Sequence, residues 1–194
     1  MRQLHGLYTK LLERIGVEVA MGFERYHGRR PKDVSDERLG YDIVSEGFGD
    51  SRFIEVKATA RLKPNLRLTD REFGFISGRG MIDMIGKMSH EDFNAQLKKR
   101  WIYIVVIDRN ALISGRNSDM IVLYTLTSSD ALKADFEPEY SDLMDYWIAR
   151  FNDWSAYSKH YSIIPSQLII KMCSILKRII EMKEEFKELM NRRS

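Results

Sequence analysis

The stretch GYDIVSEGFGDSRFIEVKAT, residues 40–59, decides the fold because it has the pattern of a β-hairpin. Two apolar runs flank a glycine-rich centre, which favours a tight turn at Phe48–Gly49. With the turn there, Asp42 lies directly opposite Glu55, with Cβ atoms about 5 Å apart. Alternation places Lys57 on the same face as Glu55. One face therefore gathers two carboxylates and a lysine, and the other is the predicted core face, with Tyr41, Ile43, Ile54 and Val56.

Two opposed carboxylates repel each other, and a divalent cation between them would remove the repulsion. Hard oxygen ligands suit Mg²⁺ or Mn²⁺. A neighbouring lysine can hold a water molecule or a phosphate oxygen, which completes the parts needed for phosphodiester hydrolysis. The alternative is a solvated strand face with an ordinary cross-strand ion pair, and the residues alone leave both interpretations open.

Composition bounds the class of protein. The chain has 194 residues, of which 44% are hydrophobic, so one domain with a sizeable core and an added helix is expected. The net charge of +3 weakly favours anionic partners. Cys173 is the single cysteine, which excludes an internal disulfide and favours a reducing compartment, so we expect a cytoplasmic protein. No apolar run is long enough to span a membrane.

Periodicity predicts an α/β or α+β domain with a mixed sheet. Thr69 and Glu72 have capping-box spacing, which predicts a helix start. Residues 77–89 contain three glycines and are interpreted as a loop or insertion. The expected helices cover residues 3–27, 90–99 and the tail from 166, with an aromatic helical face between 140 and 154; the expected strands cover 41–46, 52–58, 65–68, 101–108, 120–127 and 160–164.

The hairpin also carries a resemblance. An aspartate on one strand followed by Glu-x-Lys on the next resembles the PD-(D/E)xK nuclease superfamily, with Tyr41-Asp42 in place of Pro-Asp. More narrowly, residues 40–59 are similar to the NO VEIN C-terminal domain family, whose pattern is close to Gly-Tyr-Asp-Ile, a turn, and Ile-Glu-Val-Lys. The resemblance covers about residues 14–127 and is weaker outside the hairpin, where it rests on Gly16, Glu18, Phe23-Glu24-Arg25, Leu68, Thr69, Glu72 and the apolar strand 101–108.

The resemblance implies a restriction-endonuclease-like fold, with a mixed sheet of four or five strands flanked by helices. It gives Asp42 and Glu55 as ligands of Mg²⁺ or Mn²⁺, with the Val56 carbonyl as the usual third ligand. Lys57 would orient or deprotonate the attacking water and stabilise the pentacovalent phosphorus. Glu18 matches a helix glutamate that often completes such sites, although it also fits an exposed acid on an amphipathic helix. Glu72 is interpreted as the capping-box residue.

Basic residues precede and follow the hairpin. Arg29, Arg30 and Lys32 come before it, and Arg61 and Lys63 come after it. We expect both groups at the edges of the acidic face, where they would contact nucleic-acid phosphates. Ordinary loop charge is the alternative explanation for both groups.

The C-terminal segment has a coiled-coil pattern. We predict a nuclease-like domain over residues 1–164 and an amphipathic helix over 165–194. The apolar residues of this helix follow alternating steps of three and four, a heptad seam typical of helix pairing. The seam suggests a homodimer, and a helix lying wholly on its own core is the alternative. The seam residues are Leu168, Met172, Ile175, Ile179, Met182, Phe186 and Leu189.

The function that the sequence favours is a metal-dependent nuclease that hydrolyses phosphodiester bonds, with DNA as the preferred substrate. The main alternative is a catalytically inactive nucleic-acid-binding or scaffolding module on the same fold. A third hypothesis is a toxin or defence component that needs a partner.

Overall fold

The computed structural model describes residues 2–79, 89–116, 120–140 and 145–191. In chain order the strands are β1 (Arg30–Asp33), β2 (Ile43–Gly47), β3 (Asp50–Thr59), β4 (Leu66–Thr69), β5 (Arg100–Ile107), β6 (Ile121–Thr127), β7 (Phe136–Glu139), β8 (Tyr146–Ala149) and β9 (Lys159–Ile163). The helices are α1 (Arg2–Tyr26), α2 (Asp70–Ser77), α3 (His90–Leu97), α4 (Arg109–Ser114), α5 (Ser128–Ala131), α6 (Phe151–Ser155) and α7 (Gln167–Asn191).

The strands form two sheets. The larger has six strands in the order β1-β2-β3-β5-β6-β9, and the smaller has the order β4-β8-β7. In the larger sheet only β3 and β5 run parallel, so this sheet is mixed. The predicted class, a mixed sheet flanked by helices with a C-terminal helix, is confirmed. The sheet has one strand more than the upper number that the resemblance implies, and β1 is an edge strand that the sequence patterns do not predict.

The predicted hairpin register is confirmed. Gly47 pairs with Asp50 around a two-residue turn, and Ile43 pairs with Ile54. Both turn residues have positive φ, 55° at Phe48 and 78° at Gly49. That combination is the type I′ turn, whose twist matches the strands it joins, and a glycine at the second position adopts it without strain.

Strand β5 lies in the middle of the sheet and is buried on both faces, as its continuous apolar pattern predicts. Its odd-numbered side chains join a core beneath α1 and α7, whereas its even-numbered side chains join a second core beneath α2 and the small sheet. The face of the large sheet that carries the acidic residues is therefore covered as well. The first core contains Tyr103, Val105 and Ile107, and the second contains Ile102, Ile104 and Val106.

Helix α1 lies very close to β3. A Cβ atom at Gly16 would lie only 2.7 Å from Cβ of Ala58 and 3.3 Å from the Val56 side chain, so a larger residue would push the helix away from the strand. This contact is on the face of β3 opposite Glu55 and Lys57. Gly16 thus sets the distance at which α1 supports the strand that carries the predicted catalytic residues.

The predicted seam of α7 divides into two parts. Ile179 is buried, with Ile169, Cys173, Leu176 and Ile180, against the first core. The seam residues at seven-residue spacing remain exposed by 42–57%: Leu168, Ile175, Met182 and Leu189. Phe186 is exposed to a similar degree. The helix therefore uses one side of its apolar surface within the protein and leaves an apolar stripe outside.

The proposed domain boundary at residue 164 stays a prediction, and the first half of α7 belongs to the core.

Two predictions of local structure fail or go untested. The aromatic helical face expected between 140 and 154 is wrong, because Trp147 and Ile148 lie in β8. Phe151 and Trp154 lie in α6, and residues 141–144 lie outside the described residues. The loop expected over 77–89 falls mostly on residues 80–88, which lie outside the described residues.

In the described part of the chain, no helix is both long and apolar enough to cross a membrane.

Candidate active site

Asp42 lies just outside the hairpin, where the chain turns away from β2. Its N–H donates to the Ile54 carbonyl at 2.9 Å, and its Oδ2 accepts from the Val56 N–H at 2.8 Å. The side chain therefore faces the main chain of β3 beside Glu55. The prediction that Tyr41 joins the core face is wrong, because Gly40, with φ of 88°, redirects the chain and Tyr41 packs against Phe75 with ring centroids 5.0 Å apart.

Lys57 lies between two carboxylates. Its Nζ is 2.9 Å from Glu55 Oε1 and 2.5 Å from Glu72 Oε2. Glu72 Oε2 also accepts the Thr69 N–H at 2.9 Å, which completes the predicted capping box at the start of α2. Glu72 thus has two roles, because it caps α2 and joins the helix to β3 through Lys57.

Burial raises the pKa of both predicted metal ligands. Glu55 is only 4% exposed, and desolvation raises its pKa well above the ordinary value, although Lys57 opposes the shift. Desolvation also raises the pKa of Asp42, with a contribution from the negative charge of Glu72, while the Val56 N–H and Lys57 act in the opposite direction. Both carboxyl groups are therefore harder to ionise here than in water, and a cation bound between them would oppose that shift.

The lysine remains a cation. Burial alone would lower the pKa of Lys57, but the carboxylates of Glu55 and Glu72 outweigh that effect and raise it. A lysine with a raised pKa donates hydrogen bonds and does not accept a proton at neutral pH. As a cation beside Glu55 and Glu72, Lys57 can donate hydrogen bonds to a water molecule or a phosphate oxygen, and both roles expected for it stay predictions.

The three acids line one open cleft of about 540 Å³. We call it the carboxylate cleft and define it by Asp42, Glu55 and Glu72. Its rim carries Arg38 and Arg71, and the Arg71 guanidinium donates to the Arg38 carbonyl at 3.3 Å. The cleft thus combines an acidic floor with cationic side chains at its mouth, an arrangement that can accept a phosphodiester from solvent.

The donor set fits a hard divalent cation held by few protein ligands. Asp42 lines the cleft and forms no ion pair with any described residue. Within the described ranges, no three acidic, histidine or cysteine side chains converge as a metal cage. Magnesium is commonly held by one or two carboxylates with water in its other positions, which Asp42 and Glu55 could provide. The Val56 main chain lies beside Asp42, and its carbonyl as a third ligand stays a prediction.

Glu18 is not a lining residue of the carboxylate cleft. Its Oε1 lies 2.5 Å from Arg14, and Arg14 in turn lies 2.8 Å from Asp33. The helix that carries Glu18 covers the face of β3 opposite Glu55, which is why the structure does not bring Glu18 and Glu55 together. Asp33 does influence the site, because its charge contributes to the raised pKa of Asp42.

Arg29 is not available to a phosphate, so its predicted contact is wrong. Its side chain is 2% exposed and lies 3.0 Å from Glu24 and 2.6 Å from Asp50. It also donates to the Ser45 carbonyl at 2.7 Å. Arg29 therefore ties the end of α1 to the hairpin. Its second acidic partner, Asp50, lies 21 residues further along the chain, and a local basic run gives no sign of it.

The other predicted phosphate contacts differ in position. Arg30 and Lys32 are 84% and 73% exposed, and β1 places them on the same sheet face as Val44, Phe53 and Glu55. Burial raises the pKa of Tyr8, and the charge of Arg61 opposes that shift. Tyr8 lies on α1, and α1 covers the face of β3 opposite the cleft. Lys63 is exposed, and nothing in the described contacts links it to the cleft. These phosphate contacts stay predictions.

Comparison with known proteins adds one likeness. Residues 12–80 match the family described as the C-terminal region of the protein NO VEIN. The match contains the hairpin, Thr69 and Glu72, and it stops before β5, so the longer span of 14–127 expected from the sequence is supported only in its first part. No curated protein and no solved structure matches the chain.

Sequence reasoning missed two parts of this site. The sequence indicates Glu72 as a capping residue, and the resemblance that links Leu68, Thr69 and Glu72 to the hairpin is the signal of its second role. Arg38 and Arg71 carried no signal, because isolated arginines in a turn and in a first helical turn are common.

Proposed function

We propose that the protein is a metal-dependent nuclease that hydrolyses phosphodiester bonds in the carboxylate cleft. The observation that carries the proposal is geometric: Asp42 and Glu55 line the same cleft, and the Lys57 ammonium lies 2.9 Å from Glu55. The likeness of residues 12–80 to the NO VEIN family supports it by pattern. The PD-(D/E)xK superfamily and DNA as substrate are part of the same proposal.

Each side chain has a distinct role in this proposal. Asp42 and Glu55 would hold Mg²⁺ or Mn²⁺, which when bound neutralises phosphoryl charge and lowers the pKa of water. Lys57 donates hydrogen bonds toward the phosphate or the attacking water, and Glu72 holds Lys57 in position from the helix side. Arg38 and Arg71 at the mouth attract the phosphate backbone.

A non-catalytic nucleic-acid-binding module is the second candidate, and one observation favours it. Lys57 is already paired with Glu55 and Glu72, and buried ion pairs of this kind also serve as structural contacts. In that case the cleft would bind nucleic acid without cleaving it.

A cleavage assay separates the two candidates. We expect the purified chain to nick supercoiled plasmid or to cut circular single-stranded DNA in Mg²⁺ or Mn²⁺, with no products in excess EDTA. Gel electrophoresis of a time course gives the measurement, and single-stranded RNA is run in parallel. Intact substrates in both metals, from protein that still binds DNA, would contradict the nuclease and support the binding module.

We also propose that two copies pair through the exposed stripe of α7. The stripe repeats every seven residues, and such spacing lets two helices interlock along their length. Pairing would place two carboxylate clefts in one particle. We expect the wild type to be dimeric by light scattering at tens of micromolar, and Phe186→Glu with Leu189→Glu to give a folded monomer. Glu185→Gln with Glu188→Gln, on exposed positions of the same helix, is the control and should stay dimeric. A monomeric wild type refutes the pairing.

A further inference from the structure

A second cavity of about 670 Å³ adjoins the carboxylate cleft. The two share Tyr41, Asp70 and Arg71 as lining residues, so they form one continuous depression on the protein surface. We call the second cavity the arginine groove and define it by the six residues Tyr41, Phe53, Arg71, Phe75, Arg79 and Arg100. Its volume lies within the range of about 300–1,000 Å³ that small-molecule sites commonly have.

The floor of the groove is aromatic and partly open. The Tyr41 ring lies 5.2 Å from that of Phe53 and 5.0 Å from that of Phe75, and all three side chains are only partly buried. Gln96, which also lines the groove, offers an amide donor and acceptor. Three aromatic rings with a polar amide beside them suit a flat heterocycle that stacks and forms hydrogen bonds at its edge.

The walls of the groove are cationic, and much of that charge is unpaired. Arg71 and Arg100 form no ion pair with any described carboxylate; their described contacts are to backbone carbonyls, and Arg100 also lies 4.8 Å above the Phe75 ring. The one described carboxylate near Arg79 is Asp70, at a long 3.9 Å, and its Oδ1 also accepts from Trp147. The Arg79 guanidinium also lies 5.1 Å from the Phe73 ring and 4.8 Å from the Trp147 ring. Arg38, on the adjoining rim, is unpaired in the same sense. This differs from Arg29 and Arg14, which are neutralised by two acids each.

From these observations we infer that the arginine groove binds single-stranded nucleic acid, with an unpaired base on the Tyr41–Phe53–Phe75 floor and its flanking phosphates on Arg71, Arg79 and Arg100. The inference rests on the proposed function, because it assigns the substrate class of the carboxylate cleft next to it. Aromatic floors favour single strands, since the base faces of a duplex are already covered by neighbouring pairs. The strand would pass from the groove over Arg71 to the carboxylates.

Gly74 gives a steric test that leaves the fold intact. It lines the groove on α2, and a Cβ atom there would meet nothing within 4 Å, so a larger side chain projects into the groove without a clash. Replacing a helical glycine also favours the helix. Binding of fluorescein-labelled dT12 is measured by anisotropy in EDTA, where cleavage cannot interfere. We expect Gly74→Leu to weaken binding by at least about tenfold, the loss of one stacked base.

A charge test is independent of the steric one. Arg71→Gln with Arg79→Gln removes two exposed cations, and we expect the slope of log affinity against log salt to fall by about 1.4, about 0.7 for each lost phosphate contact on a single strand. Arg178→Gln with Lys187→Gln makes the same charge change on α7 and should leave the slope unchanged. A 12-base-pair duplex should bind more weakly than dT12 to the wild type.

Three results would overturn the inference: a wild type that does not bind dT12, a duplex that binds as tightly as dT12, or a Gly74→Leu variant that binds dT12 like the wild type. The nuclease proposal is tested separately from the groove proposal. If dT12 binds through the groove and no metal supports cleavage, the groove is supported and the catalytic proposal fails. If the wild type cleaves DNA and Gly74→Leu binds dT12 like the wild type, the catalytic proposal is supported and the groove proposal fails.

Discussion

Replacing Lys57 by methionine is expected to slow DNA cleavage by about 10²–10³-fold, the usual cost of removing one preorganised donor that faces the reacting group. The reason is that the Lys57 ammonium lies 2.9 Å from Glu55 and its charge also acts on Asp42. Asp42→Asn is expected to lose at least as much activity, because an amide replaces the carboxylate that lacks an ion-pair partner. Single-turnover cleavage at saturating Mg²⁺ measures both effects.

Metal titration tells the two roles apart. Calorimetry with Mn²⁺ should show binding lost in Asp42→Asn and retained in Lys57→Met. Lys171→Met, an exposed lysine on α7, is the control and should cleave like the wild type. Because Lys57 also balances buried Glu55, the thermal unfolding of each variant must be followed, and rates compared only where the protein is folded. Undiminished Mn²⁺ binding by Asp42→Asn would remove the site from this cleft.

The second large effect concerns stability. Arg29→Met is expected to lower the free energy of unfolding by about 3–5 kcal/mol, the usual cost of breaking a buried ion pair from one side. Glu24 would lose its contact with Arg29 and would keep only Arg52, at 3.1 Å, and the Tyr103 hydroxyl, at 2.5 Å. The main-chain carbonyl of Ser45 would lose its donor as well. Urea denaturation followed by tryptophan fluorescence gives the measurement.

The neighbouring arginine is a close control. Arg30 is exposed and has one long contact, 3.6 Å to Glu46, so Arg30→Met should change stability by no more than about 0.5 kcal/mol. Equal losses in the two variants would show that Arg29 does not anchor the hairpin. The comparison also bears on DNA binding, because a variant that removes Arg29 together with Arg30 and Lys32 mixes lost binding with lost stability.

Short-range patterns predicted the centre of this protein well. The turn at Phe48–Gly49 determines the hairpin register through chain geometry alone, and Thr69 with Glu72 marks a helix start through contacts three residues apart. The apolar run of β5 predicted its central place because no amphipathic alternative fits it. From these elements the sequence placed Asp42, Glu55 and Lys57 together, which the structure confirms.

Predictions failed where distant residues decide. Trp147 and Ile148 have helical spacing with their neighbours, but pairing of β8 with β4 places them in a strand. Arg29 has the appearance of a loop cation until the hairpin brings Asp50 and the Ser45 carbonyl beside it. The burial of Glu55 also has no sign in the sequence, since the hairpin pattern shows one apolar face and does not reveal that α2 and the small sheet cover the other. Each failure concerns a contact between residues that are far apart in sequence.

The parallel pairing of β3 with β5 limits which fragments of the chain can fold alone. The two strands pair from Phe53–Arg100 to Thr59–Val106, and the intervening segment supplies α2 and its glutamate. A fragment of residues 12–80 would keep the recognisable motif but lose β5. Its longest strand would then present an open edge with apolar side chains, which invites aggregation. We therefore expect that the part of the chain that carries the family likeness does not fold by itself.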